Sequence, residues 1–233
     1  MKERTRTVDA VLVATAWAAV RLAWPPTGYN THALMYPLVE AAGGYNTLEP
    51  FHSLYLPIVT ASRHLWAWTG AFGPALPALQ AVSLAAGAAN LVLLHRVVRR
   101  ATGSTDAALG AALIGAVSAN LWSWSLMTTS YTLATFCLLA MSDRLLSREK
   151  LDVRDAAWAG LWVGLAAGYD TAAGTAVLAA AYEIHLRRAP SVRPVAVWRA
   201  FAAACAAPLV LGLGGWCTGS ARWAGLSLRR SQA

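Results

Sequence analysis

Seven apolar runs, separated by short polar clusters, set the pattern of this chain. They lie at about Val8–Trp24, Leu76–Val98, Asp106–Ser123, Leu126–Leu146, Asp155–Tyr169, Thr171–Leu186 and Pro194–Trp216. Their lengths approach the roughly 17 to 25 residues that carry a helix across hydrocarbon. A helix satisfies its own backbone hydrogen bonds in lipid, so each run predicts a helix. The pattern therefore predicts an all-α polytopic membrane helix bundle of about seven transmembrane helices, forming a single domain over residues 1–233.

The first run stops at Pro25-Pro26, because proline disfavours continuation of a helix. It begins with basic residues, but no small-x-small cleavage pattern follows. The expectation is an uncleaved first helix and not a signal peptide. After it comes a long segment of mixed polarity, residues 25–74. Within this segment, Phe51–Gly70 is apolar but carries Arg63 and His64 near its centre. A central charge is costly in a span. This stretch is expected as an interfacial helix, with Trp66 and Trp68 at headgroup level.

Composition agrees with a membrane chain. Hydrophobic residues make up 57% and charged residues 13%, against about 25% charged in soluble domains. Mean hydropathy is +0.45. The net charge of +8 comes in clusters between the apolar runs, which argues against a nucleic-acid partner and for a topology signal. With the N-terminus in the cytoplasm, fourteen of the 19 basic residues fall on the inner side: those of residues 2–6, 96–100, 144–154 and 187–199. The basic tail, residues 217–233, is the one discordant feature. The localisation this predicts is the bacterial inner membrane, with residues 25–74 outside. Cys137, Cys205 and Cys217 form no CxxC pattern, and no disulfide framework or zinc site is expected.

Candidate chemistry concentrates on the outer side. The first outer loop holds His32, Glu40, Glu49, His52 and Tyr55, and Asp170 lies at the turn between the fifth and sixth runs. A carboxylate at a membrane edge serves as a general base or holds a divalent metal. A histidine binds phosphate or carries a proton. Asp170 also suits the N-cap of the sixth helix. Arg21 either snorkels to the outer headgroups or binds a lipid phosphate. Gly160, Gly164 and Gly168, four residues apart, predict a smooth face for close helix packing. His95 and His185 are read as markers of the inner boundary.

The order of parts resembles the N-terminal half of the GT-C-type polytopic membrane glycosyltransferases, among them the bacterial relatives of protein O-mannosyltransferases. "HSLYLPIVTASRHLWAW" (52–68) is similar to the family's loop segment that follows its acidic motif, with Ser53 in place of a proline. "LQAVSLAAGAANLVLLHRVVRR" (79–100) resembles the helix after it, and "WAGLWVGLAAGYDTAAG" (158–174) a helix pair with a polar residue at its turn. The family's early acidic motif would fall at "GYNTHAL", where this chain has Asn30, Thr31 and His32. Either Glu40 or Glu49 substitutes, or the activity is lost.

The resemblance implies sugar transfer from a polyprenyl-phosphate donor at the outer face. Glu49 or Glu40 would be base or metal ligand, His52 and Arg21 would lie near the donor phosphate, and Tyr55 and Asp170 near substrate. Membrane lipids are the other expected partner. The alternative is a non-catalytic transmembrane subunit, derived from the same fold and packed against a protein partner in a larger complex. A transporter ranks last, since no repeated half or broken-helix pair is visible.

Overall fold

The computed structural model describes residues 2–23, 54–70, 76–118, 121 and 130–211. These residues form helices and tight turns, with no strand among them beyond a single bridge. The helices are α1 (Lys2–Ala23), α2 (Tyr55–Trp68), α3 (Leu76–Thr102), α4 (Thr105–Val117), α5 (Tyr131–Leu146), α6 (Val153–Tyr169), α7 (Ala176–Arg187) and α8 (Pro194–Leu211). The all-helical class expected from the sequence is what the described residues form.

Two of these helices, Pro77–Thr102 and Pro194–Leu211, are long and apolar enough to cross a membrane, and Ala10–Ala23 and Thr105–Val117 are shorter apolar helices. Several run ends differ from expectation, each for a local reason. The third run stops as a helix at Val117, because the Ser118 hydroxyl donates to the Gly115 carbonyl at 2.8 Å and accepts from the Leu121 N–H at 3.3 Å. Such a side chain offers the backbone an alternative to the helical ladder. The sixth run opens as a 3-10 turn, Thr171–Thr175, before α7 begins. The fifth starts two residues early, because Asp152 and Asp155 form a reciprocal capping box. Gly103, at φ +71°, supplies the left-handed residue that ends α3, and Ser104 then caps α4 by accepting from the Ala107 N–H at 3.2 Å.

Helix α5 is central, packing on α3, α6 and α7, while α1 lies against α3 and α4. One core cluster joins α5, α6, α7 and α8 through Met141, Leu145, Ala159, Val163, Ile184, Val197 and Phe201. A second joins α1, α3 and α4 through Ala14, Trp17, Leu91 and Ala116. The glycine face of α6 acts as expected. A Cβ on Gly160 would lie 2.3 Å from the Phe201 carbonyl oxygen, and one on Gly164 2.2 Å from that of Cys205, so α8 runs directly against the α6 backbone.

Ion pairs and one hydrogen bond bring three basic clusters to one end of the bundle. Arg96 and Arg100 of α3 meet Asp143 of α5 at 2.8 and 3.1 Å. Arg144 meets Asp155 of α6 at 2.6 Å. The Arg187 guanidinium donates to the Arg148 carbonyl. At the same end Leu151 and Arg188 form a parallel bridge, with the Leu151 N–H donating to the Arg187 carbonyl at 2.8 Å and the Ala189 N–H to that of Leu151 at 3.0 Å. His95, expected at the membrane boundary, is buried inside the bundle, whereas His185 is exposed.

Candidate functional site at the opposite end of the bundle

The chain direction puts the start of α2, the start of α3, the start of α5 and the end of α6 together at the end away from these ion pairs. Tyr55, Val59 and Leu79 form the buried centre of this junction, with Ile58, Leu133 and Tyr169 packed against it. One backbone hydrogen bond closes it: the Leu54 N–H donates to the Gly168 carbonyl oxygen at 3.1 Å. Gly168 permits the approach, since a Cβ there would lie 2.2 Å from Leu54 Cδ1.

Helix α2 has 14 residues and rises about 21 Å, short of the roughly 30 Å of hydrocarbon. Tyr55, Val59 and Ser62 form its buried stripe, while Arg63, His64, Leu65 and Trp68 are exposed. That amphipathic division is the one expected of Phe51–Gly70, of which 54–70 lie among the described residues.

Of the residues singled out in the sequence, Glu40, Glu49, His52 and His32 lie outside the described residues. Tyr55 opens α2 and is 1% exposed, clustered with Val59 and Leu79. Arg21 does not snorkel outward. It continues the buried stripe Ala10, Ala14, Trp17 of α1 and is itself 1% exposed, because that stripe is the face of α1 that packs into the bundle. Asp170 caps as anticipated, but it caps the 3-10 turn: its Oδ1 accepts from the Ala172 N–H at 3.1 Å. It lies two residues beyond Gly168, whose carbonyl the Leu54 N–H at the start of α2 meets.

No group of three or more His, Cys, Asp or Glu side chains that could hold a metal occurs among the described residues. Asp170 is the one acid described at this end, and one of its oxygens already serves the turn. The described residues do not fit a divalent ion.

A second feature was not foreseen. A cleft of about 340 Å³ opens between α3, α4 and α5, lined by Asn90, Leu91 and Leu94, by Gly115, Ser118 and Leu121, and by Tyr131, Thr132, Thr135 and Leu139. Its volume is at the low end of small-molecule sites. Asn90 is 2% exposed, and its Nδ2 donates to the Thr132 carbonyl at 3.0 Å, tying α3 to α5. Its Oδ1 is buried with no hydrogen-bond partner among the described residues. Such an orphaned acceptor costs about 1–3 kcal/mol. The signal was visible in the sequence as an amide inside the apolar run "GAANLVLL", since polar residues within such runs tend to be functional.

Compared with protein-family models, curated proteins and solved structures, the chain gives no match.

Proposed function

We propose that this chain is a polytopic protein of the bacterial inner membrane with a GT-C-like arrangement, its N-terminus cytoplasmic, that transfers a sugar from a polyprenyl-phosphate donor at the outer face. The seven crossings in this reading are α1, α3, α4, α5, α6, the 3-10 turn with α7, and α8. The turn and α7 together rise about 28 Å, close to a hydrocarbon thickness.

The observation that carries the reading is the hydrogen bond from the Leu54 N–H to the Gly168 carbonyl. It joins the start of α2, which follows Glu49 and His52 in the sequence, to the end of α6, which Asp170 follows. In the reaction, the bond between the sugar's anomeric carbon and the phosphate oxygen breaks as an acceptor oxygen bonds to that carbon. The acceptor proton passes to the carboxylate of Glu49 or Glu40, and the polyprenyl phosphate leaves as an anion beside Arg21 and His52. Preorganised charge at that leaving phosphate supplies most of the rate. Asp170 and Tyr55 orient the substrate through the turn and the junction.

A non-catalytic subunit is the second reading. What favours it is that the described acids already serve the fold: Asp143 and Asp155 sit in ion pairs, and Asp170 caps a turn.

The experiment is release of polyprenyl phosphate from a radiolabelled polyprenyl-phosphate sugar by the purified protein in nanodiscs. Glu49→Gln and His52→Ala should each reduce release by about a hundredfold or more while leaving the thermal unfolding profile in place. No release by the wild-type protein, together with a stably copurifying membrane protein, establishes the subunit reading instead.

A further inference from the structure

The cleft between α3, α4 and α5 shares no lining residue with the Leu54–Gly168 junction. We propose that it is a binding site for a neutral lipid alcohol: an apolar body lying along Leu91, Leu94 and Leu139, and one hydroxyl donating to Asn90 Oδ1.

The chemistry follows from which atoms are already committed. The Thr132 carbonyl can only accept, so the atom of Asn90 that faces it must be the amide nitrogen. The atom without a partner is therefore an acceptor, and what completes it must be a donor. The Ser118 hydroxyl does not compete for that donor, because it already donates to Gly115 and accepts from Leu121. The other polar lining groups, Tyr131, Thr132 and Thr135, carry no formal charge, and among the described residues no charged side chain lines the cleft. A carboxylate or phosphate would lose its hydration there and find no counter-charge. An alcohol is the lipid headgroup that brings one donor and no charge.

The apolar wall of the cleft depends on a close helix approach. Gly115 lets two leucines of α3 lie directly against α4: a Cβ at that position would lie 3.0 Å from Leu94 Cδ2 and 3.3 Å from Leu91 Cδ2. A residue larger than glycine would displace those two leucines. Two cellular lipids share the chemistry, a free isoprenoid alcohol and the hydroxyl of a diacylglycerol.

The test uses the full chain in nanodiscs with two diazirine-bearing probes, an isoprenoid alcohol and a diacylglycerol. Each is accompanied by its methyl ether, which keeps the body and loses the donor, and the first also by the corresponding carboxylic acid. The expected result is saturable labelling of α3 or α5 peptides by at least one alcohol. Its ether and its acid should need roughly tenfold or more higher concentration. Thr135→Trp, which fills the cleft and leaves the Asn90–Thr132 bond in place, should abolish the labelling. Asn90→Leu should erase the difference between alcohol and ether. The probe that competes at the lower concentration identifies the source. Equal labelling by alcohol and ether, labelling by the acid at the same concentration, labelling that survives Thr135→Trp, or no saturable labelling by either probe overturns the proposal.

Discussion

Leu54 and Gly168 are joined backbone to backbone: the N–H of one donates to the carbonyl of the other at 3.1 Å, and a Cβ placed on Gly168 would lie 3.2 Å from that of Leu54. Bridged cysteines have Cβ atoms about 3.5–4.5 Å apart, so a small backbone adjustment suits the pair to a disulfide. The double variant Leu54→Cys, Gly168→Cys should form an intramolecular disulfide under mild oxidation. Peptide mapping by mass spectrometry under non-reducing conditions reads it directly. Absence of the linkage in folded protein would mean that α2 does not dock on the end of α6.

The glycines of α6 and α4 should respond in opposite directions to the same substitution. Gly164→Ala drives a methyl into the Cys205 carbonyl, 2.2 Å from the new carbon, and backbone cannot rotate away as a side chain would. Overpacking of this kind costs about 1–3 kcal/mol. Gly110→Ala meets nothing within 4 Å and gains about 0.5–1 kcal/mol of helix propensity. Size-exclusion profiles after stepwise heating in detergent should show the first variant aggregating at lower temperature than wild type and the second at higher temperature.

Much of this was written in the chain, and some of it was not. The apolar runs announced helices, because transfer of apolar surface depends on residue type and needs no knowledge of neighbours. The glycine spacing on α6 was legible for the same reason. The acids near the basic clusters were harder to interpret. Asp143 and Asp155 fell within or at the edge of apolar runs and Asp152 beside one, whereas the fold uses the first two as ion-pair partners and the third as a cap. The hydrogen bond between Leu54 and Gly168 spans more than a hundred residues, and no local pattern encodes such a contact. The burial of Tyr55 was not legible for a similar reason, since the cluster it belongs to draws Leu79, Leu133 and Tyr169 from three other helices.

The capping box at the start of α6 makes a pH prediction. The Asp155 N–H donates to Asp152 Oδ1 at 2.8 Å, and that hydrogen bond holds the Asp152 carboxyl below its ordinary value of 3.8. A group with a lowered folded pKa adds stability above its unfolded pKa and loses it as pH falls through the folded value. The contribution should be complete from about pH 5 upward and decline below pH 4. Asp152→Asn keeps an uncharged cap and should flatten this acid limb of the stability profile, while Asp152→Ala should cost about 1 kcal/mol at neutral pH. Thermal unfolding between pH 3 and 7 checks both. An acid limb unchanged in Asp152→Asn would assign the dependence to another group.

The burial of Arg21 also has a consequence for how the chain is made. A helix leaving the ribosome alone meets lipid on every side, and an arginine at the centre of such a helix costs about 2.5–3.5 kcal/mol to insert. Arg21 lies near the end of α1, where the penalty is smaller, yet its finished environment is supplied by helices synthesised later. The residues that pack beside Trp17, one turn earlier on the same stripe, are Leu91 and Ala116, and neither exists when α1 first reaches the membrane. If α1 crosses the membrane as proposed, it would be held provisionally, either within the insertion machinery or at the surface, until α3 and α4 have emerged. In that reading biogenesis would not be strictly vectorial: α1 would reach its final seat only after helices made later had joined it.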